Sequence, residues 1–155
     1  MSEELRVAMV IQRYYPHVGG AERQVAALAP HLAAHNIALT VLTRRHDPAL
    51  PRFERIDTVP VYRLPMVGPK ALAALSFTVT AQWVLARCRP HLIHAHELLS
   101  PATVALMAKR LFAVPVVAKV LNGGALGDIA KLQNRPTGQR RLALLQRQID
   151  RPYRD

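Results

Sequence analysis

The sequence predicts an α/β fold with a doubly wound, mostly parallel β-sheet between two layers of helices. Two observations predict it. Short apolar runs alternate with longer segments of helical periodicity along the 155 residues. The apolar runs are mostly continuous, which suits strands buried on both faces of a parallel sheet. Repeated βα units of this kind imply right-handed crossovers and a Rossmann-like sheet.

Five runs are predicted to be strands: RVAMVIQ, IALTVLTR, VPVYRLP, HLIHAH and PVVAKVL. Helical periodicity predicts helices at Ala21–His35, Ala71–Cys88 and Pro101–Phe112. Asn36 follows the first helix and is suited to a left-handed cap before the next strand. The polar segment RHDPALPRFERIDTVP, between the second and third predicted strands, is predicted to be a surface loop.

The carboxy-terminal segment TGQRRLALLQRQIDRPYRD is predicted to be a basic amphipathic helix followed by a proline-containing tail. A doubly wound sheet normally uses such a helix to reach another strand, and no strand pattern follows it. The sheet is therefore expected to be truncated before its last strand.

The composition indicates a folded protein with an anionic partner. Half of the residues are apolar, and 21 basic against 10 acidic residues give a formal net charge of +11. Such a charge favours nucleic acid, acidic lipid or a phosphorylated ligand, unless it is only a basic surface. Aromatic residues make up 5% of the chain, and no helix-turn-helix or RNA-binding motif is present. Both observations argue against a nucleic-acid partner.

Cysteine content and apolar stretches bear on location. Cys88 is the single cysteine, so an internal disulfide is excluded and a quiet, half-buried thiol is expected. The amino-terminal residues lack the basic and apolar regions of a signal peptide. The longest apolar stretch, ALAALSFTVTAQWVLA, is shorter than a membrane span. We therefore expect a cytoplasmic protein.

Two loops are expected to meet at the carboxyl edge of the sheet. YYPHVGGAE follows the first predicted strand and HAHELLSP follows the fourth, which would be neighbours at a topological switch point. Gly19 and Gly20 would let the backbone approach a ligand, and the helix that follows favours phosphate. The spacing matches neither a dinucleotide nor a Walker loop, so a plain turn into the helix remains the alternative. Glu22 is either a helix-stabilising charge or a contact to a substrate hydroxyl.

Further polar residues follow the fourth and fifth predicted strands. Strand alternation places His94 and His96 on one face, with Glu97 next to them. They are either a partial metal site or, as we prefer, one hydrogen-bonding histidine beside a packed one. The segment AKVLNGGALGDI would bring Asn122 and Asp128 to the same crevice, with turn chemistry as the alternative.

In combination, P-x-x-G-G-x-E after the first strand, H-x-H-E after the fourth and a glycine-rich turn after the fifth resemble one family. The sequence is similar, over nearly its whole length, to the amino-terminal domain of family 4 GT-B glycosyltransferases. The resemblance implies that residues 1–155 form one Rossmann-like domain of a two-domain protein. It also implies transfer of a sugar from a nucleotide-sugar donor to an acceptor, with retention of configuration and without a metal or other cofactor.

The resemblance also implies roles for individual residues. The backbone of Gly19 and Gly20 would face the donor diphosphate, and His96 would contact the transferred sugar near its reacting centre as the catalytic residue. His94 would support His96, and Glu97 would line the same pocket. Candidate contacts to the acceptor, which would be a sugar, a lipid-linked sugar or a small molecule, are Tyr15, Glu22, Asn122 and Asp128.

The donor-binding carboxy-terminal domain of that family, with its E-x7-E motif, is absent from these residues. A fragment that is inactive alone is therefore expected, because half a cleft lacks the positive charge that stabilises a leaving diphosphate. The alternative is a stand-alone, non-catalytic module that binds a nucleotide, a sugar or a partner domain. A reading frame that continued past residue 155 into E-x7-E would separate the two.

Family members also dock on anionic membranes through basic surfaces of this domain, which implies a peripheral location on the inner face of the membrane. An amphipathic helix that faces the core, or an uncovered interface, is the alternative. The basic residues that are candidates for such a surface are Arg87, Arg89, Lys109, Arg110, Arg140, Arg141 and Arg147.

Overall fold

The computed structural model describes residues 4–120, 127–134, 138–140, 143–144 and 147. Six strands form one sheet in the order β3-β4-β2-β1-β5-β6. The strands are β1 (Leu5–Val10), β2 (Ile37–Arg44), β3 (Phe53–Ile56), β4 (Val59–Leu64), β5 (Leu92–His96) and β6 (Val116–Lys119). The helices are α1 (Gly20–Ala34), α2 (Lys70–Cys88), α3 (Ser100–Phe112) and α4 (Asp128–Gln133).

The sheet confirms the predicted α/β class. Every strand pairing is parallel except that of β3 with β4. All five predicted strands and all three predicted helices form, with ends shifted by a few residues at most. The continuous apolar runs correctly predicted buried, parallel strands because such strands are covered on both faces.

The core lies on both faces of the sheet. On one face, Val25 and Ala29 of α1 pack against strand residues such as Met9 and Val41. The intervening strand residues point to the other face, where α2 and α3 contact the strands and each other. Gln82 of α2 joins these two helices by donating a hydrogen bond from Nε2 to the Val104 carbonyl at 3.1 Å.

The predicted loop before the third predicted strand is wrong in part. Phe53–Ile56 forms the edge strand β3, antiparallel to β4. Asp57 makes the turn between them with a φ of 53°. β3 has four residues that alternate between exposed and intermediate burial, so its sequence lacks the continuous apolar run by which the buried strands were predicted.

The chain divides into two compact units, Met1–Lys119 and Val120–Asp155. The first contains the sheet and α1 to α3. In the second, the helical residues 138–140, 143–144 and 147 agree with the predicted carboxy-terminal helix, whose remaining residues lie outside the described ones, whereas α4 was not predicted.

Within the described residues, one helix is long and apolar enough to cross a membrane by length and composition. It is α2, with 19 residues and a mean hydropathy of 1.3. The apolar stretch that was expected to be too short for a span is thus part of a helix that is long enough. One face of α2 packs in the core, with Phe77, Ala81 and Leu85 buried.

Candidate functional site

The carboxyl ends of β1, β5 and β6 bring the predicted histidines to one place. Met9 of β1 pairs with His94, and His96 pairs with Lys119 of β6. Paired residues and alternate residues of a strand share a face of the sheet, so His94, His96 and Lys119 lie on the α1 face. The ring centroids of the two histidines are 4.3 Å apart, which confirms that they share a face.

His96 is a buried polar residue without a hydrogen bond to any described residue. Its side chain is 1% exposed, and neither Nδ1 nor Nε2 has a partner in the described part of the chain. Burial, followed by the nearby His94 and Lys119, lowers the pKa of His96 to about 4, so the ring is neutral at pH 7. A buried group without a partner is destabilising by about 1–3 kcal/mol and is common at functional sites.

Lys119 was missed by the sequence analysis. Its Nζ donates a hydrogen bond to Gln24 Oε1, which links the end of β6 to the second turn of α1. Burial is the main cause of a lowered pKa at His94, and the Lys119 charge adds to it. In the sequence, Lys119 stands out only as a cation at the end of an apolar strand. A solvent-exposed lysine without a functional role gives the same pattern.

Glu97 follows β5 in a strained conformation. Its φ is 98°, in a region that residues with a side chain rarely adopt, and its backbone N–H donates to the Lys119 carbonyl at 3.1 Å. Strain of this kind costs about 1–3 kcal/mol and is concentrated at functional sites. It turns the chain sharply after His96.

Arg44 is a second charged residue that sequence analysis missed. It ends β2, and its Nη2 donates a hydrogen bond to Ser100 Oγ at 2.6 Å. The guanidinium lies 5.2 Å from the centroid of the Phe77 ring. Burial lowers the pKa of Arg44, and the charge of Glu97 opposes that change.

The two glycines before α1 differ in their surroundings. Gly19 has an extended conformation with a φ of −125°, so neither a left-handed turn nor strain requires a glycine there. A Cβ at Gly19 would lie 2.6 Å from Glu22 Oε2, whereas one at Gly20 would meet no atom within 4 Å. Gly19 therefore makes room for the carboxylate of Glu22, a residue that is 9% exposed, and Gly20 borders open space.

Tyr15 is half-buried and packs against the core on the α1 face. Its ring meets the Tyr14 ring edge-on, with centroids 5.2 Å apart. Its carbonyl accepts a hydrogen bond from Nη2 of the buried Arg63 at 2.6 Å, and Arg63 also forms an ion pair with Glu54 of β3. The β3–β4 hairpin thus fixes the backbone of the loop that leads to the glycines.

Two predicted site residues cannot be placed in this way. Asn122 lies outside the described residues, and Asp128 begins α4 with a side chain that lies outside them as well. Among the residues that are described, no group of three or more histidine, cysteine, aspartate or glutamate side chains could hold a metal ion.

The sequence matches, over residues 19–152, the profile of a protein family described as "Glycosyl transferase 4-like domain". No curated protein matches the sequence significantly.

Solved structures share the fold. Sucrose-phosphate synthase from Thermosynechococcus elongatus is 20% identical with a TM-score of 0.63, over 83% of this chain and 38% of that one. UDP-GlcNAc 2-epimerase from Methanocaldococcus jannaschii is 13% identical with a TM-score of 0.60, over 93% and 37%. MurG from Acinetobacter baumannii is 15% identical with a TM-score of 0.53, over 92% and 39%. The chain thus spans less than two fifths of each.

Proposed function

Because the chain belongs to the glycosyl transferase 4-like domain family and has the fold of one half of a GT-B protein, we propose that it is the acceptor-side half of a retaining glycosyltransferase. The reaction moves a sugar from a nucleotide-sugar donor to an acceptor. The observation that carries this proposal is His96 at the carboxyl edge of the sheet, which is neutral, buried and without a hydrogen-bond partner among the described residues.

A neutral imidazole suits contact with a sugar hydroxyl. One ring nitrogen donates a hydrogen bond and the other accepts one, and a hydroxyl can do both. In this proposal His96 contacts the transferred sugar near its reacting centre, His94 supports its ring, and Glu97 lines the pocket. Because His96 is 1% exposed, the contact requires the residues that cover the ring to move when the substrate binds.

The start of α1 suits the donor diphosphate. Its first-turn N–H groups and the open space beside Gly20 favour an anion approaching the backbone. The Glu22 carboxylate, held against Gly19, is a candidate contact to an acceptor hydroxyl, together with Tyr15 and, by family similarity, Asn122 and Asp128.

The complete cleft needs a second, donor-binding half. The fraction of the similar structures that the chain covers, 37–39%, supports this assignment. We propose that the half described here is inactive alone, that the reaction uses no metal or other cofactor, and that the protein works in the cytoplasm. The basic side chains of Arg87, Arg89, Lys109 and Arg110 support peripheral association with the anionic inner face of a membrane.

The test is transfer of a labelled sugar by a protein that joins this domain to a donor-binding domain. His96→Ala should lower kcat by about 10²- to 10³-fold, as expected when one preorganised hydrogen bond to the reacting sugar is lost. His31→Ala, at an exposed position on α1, is the matched control and should leave kcat unchanged. Wild-type turnover by His96→Ala would contradict the proposed role. Binding of nucleotide sugars without transfer by the wild-type protein would favour a non-catalytic module.

A further inference from the structure

Arg44 connects two strands across a third strand that lies between them. It ends β2, and its Nη2 donates a hydrogen bond to Oγ of Ser100, the first residue of α3, at 2.6 Å. The helix α3 follows β5, and β1 lies between β2 and β5 in the sheet. Two strand spacings are about 10 Å, so the Arg44 side chain reaches across the end of β1 to the turn that follows His96.

The turn after β5 is strained and has to be held in place. Glu97 has a φ of 98°, and a conformation of this kind persists only where the surrounding structure enforces it. On the β6 side, the Glu97 N–H donates to the Lys119 carbonyl at 3.1 Å. On the β2 side, Arg44 is bonded to Ser100, three residues after Glu97. The charges of Arg44 and Glu97 also attract each other, because Glu97 raises the pKa of the guanidinium.

Stability alone does not explain a cation at this position. The Nε atom of Arg44 is buried and has no hydrogen-bond partner among the described residues, and burial lowers the pKa of the guanidinium. Arg44 also lies at the amino-terminal end of α3, where the helix dipole disfavours a cation. The Phe77 ring, 5.2 Å away, offsets only part of these costs. Because an apolar side chain of similar volume is often neutral or stabilising at a buried charged position, the arginine points to a role in function.

We propose that Arg44 is a positioning residue of the sugar-transfer site. It holds Ser100 and the strained turn at Glu97, and thereby fixes the end of β5 and the orientation of the His96 ring. Arg44 contacts α2 and α3 on one face of the sheet, whereas His96 lies on the α1 face, so Arg44 acts through the turn. The effect on turnover rests on the proposed function, but the effect on the turn does not.

The first test is structural and needs no substrate. Backbone amide shifts of the isotope-labelled chain are compared between the wild type, Arg44→Met and Arg45→Met. Arg45→Met is the matched control, because Arg45 is the next residue and its Nε donates to the Leu50 carbonyl at 2.8 Å, within the loop that follows β2. We expect Arg44→Met to shift the amides of residues 94–97 and Arg45→Met to leave them unchanged.

The His96 ring gives a second readout. Its pKa is lowered to about 4, mainly by burial. If the turn loosens in Arg44→Met, the ring becomes more hydrated, and its pKa, measured by NMR from the ring proton shifts, should rise towards the ordinary 6.5. The loss of the Arg44 charge would not cause this rise, because the charged groups that act on the pKa of His96 are His94 and Lys119. In Arg45→Met the pKa of His96 should stay near its wild-type value.

The protein that joins this domain to a donor-binding domain measures the effect on transfer. Arg44→Met should lower kcat by about 10- to 100-fold and change KM by less than about twofold, because it misplaces a group that acts in the transition state. Ser100→Ala removes the same hydrogen bond, should lower kcat by less, and keeps the test decisive if Arg44→Met does not fold. In the Arg44→Met background Ser100→Ala should have no further effect. The Tm of each variant should lie within about 3 °C of the wild-type value.

Three results would overturn the proposal. The first is that the amides of residues 94–97 shift no more in Arg44→Met than in Arg45→Met. The second is an unchanged kcat in Arg44→Met although these amides shift. The third is a KM raised by more than about tenfold with kcat unchanged, which would make Arg44 a direct contact to a substrate. If the wild-type joined protein transfers no sugar, the proposed function fails, whereas the shifts and the pKa of His96 still decide whether Arg44 holds the turn.

Discussion

Gly19 and Gly20 are adjacent residues with different physical reasons to be glycine. The space beside Gly19 is filled by the Glu22 carboxylate, and the space beside Gly20 is open. A sequence motif cannot show this difference, because both residues fit the same pattern before a helix. The structure therefore supports a separate hypothesis for each glycine. Gly19 makes room for the packing of Glu22, and Gly20 leaves access for a ligand.

Alanine at each position should have opposite effects on stability. Gly20→Ala should raise the free energy of unfolding by about 0.5–1 kcal/mol, because it restricts the unfolded chain at a site with free space. Gly19→Ala should lower it by about 1 kcal/mol, because alanine is a poorer N-cap than glycine and its methyl must also displace the end of the Glu22 side chain. Urea unfolding measures both.

The Glu22→Ala background is the control for this contact. Gly19→Ala should cost less there, since the displaced carboxylate is gone and only the N-cap preference remains. Equal stabilisation by the two alanine substitutions in the wild-type background would show that Gly19 and Glu22 do not contact each other.

His96 should make stability depend on pH. Its pKa falls from an ordinary 6.5 in the unfolded chain to about 4 in the folded one. Between these values the unfolded chain binds more protons, so the contribution is fully present above pH 6.5 and is lost as the pH falls towards 4. The loss amounts to about 3 kcal/mol at most. Burial also lowers the pKa values of His94 and His46, which act in the same direction.

Urea unfolding of the wild-type protein and of His96→Gln at pH 7 and pH 4.5 isolates the contribution of His96. The variant should lose less stability on acidification than the wild type. Identical losses in the two proteins would mean that His96 is not buried in its neutral form.

At the residue scale, the sequence correctly predicted the features that depend on neighbouring residues alone, which are side-chain alternation in a strand and the conformation of a helix cap. Strand alternation placed His94 and His96 on one face, and Asn36 has the predicted left-handed conformation, with a φ of 58°. The strain at Glu97 and the position of Lys119 beside His96 were not predictable. Both depend on how β6 pairs with β5, and no local pattern in the sequence specifies that register.

At the scale of elements, a buried cation anchors β3 in addition to the backbone pairing of β3 with β4. Arg63 of β4 is 2% exposed and pairs with Glu54 of β3. It also donates hydrogen bonds to the carbonyls of Tyr15 and Pro51. One side chain therefore connects the edge hairpin with the loop before α1.

Arg63→Leu should lower the free energy of unfolding by about 1–3 kcal/mol, because it leaves two carbonyls and the partly exposed Glu54 carboxylate without their partner. Arg55→Leu, at an exposed position of the same hairpin, should change it by less than about 0.5 kcal/mol. Thermal or urea unfolding measures the difference. Equal effects of the two substitutions would show that Arg63 does not anchor the β3–β4 hairpin.

The missed strand β3 and the correctly predicted helices have one explanation. The helices and the buried strands have long periodic or apolar patterns, which a sequence displays directly. The strand β3 has four residues, none of them fully buried, and is held by a pairing with a residue of the next strand. Its existence is a tertiary effect that the polar sequence of this segment does not reveal.

At the scale of the molecule, the sheet order brings the predicted loops together. β1 lies between β2 and β5, so the loop after β1 and the turn after β5 share the carboxyl edge of the sheet. The sequence predicted this from the general behaviour of doubly wound sheets. It did not predict that His96 would be fully buried, because burial depends on tertiary packing around the ring.

The central claim is that this edge binds the substrates of a glycosyltransferase. Its most direct test is an NMR titration of the isotope-labelled chain with nucleotide sugars and candidate acceptor sugars, which detects binding as weak as half a cleft would give. We expect backbone amide shifts at residues 17–22, 94–98 and 119, and their loss in His96→Ala with the fold retained. Shifts confined to other parts of the chain, or the same shifts in His96→Ala, would contradict the account.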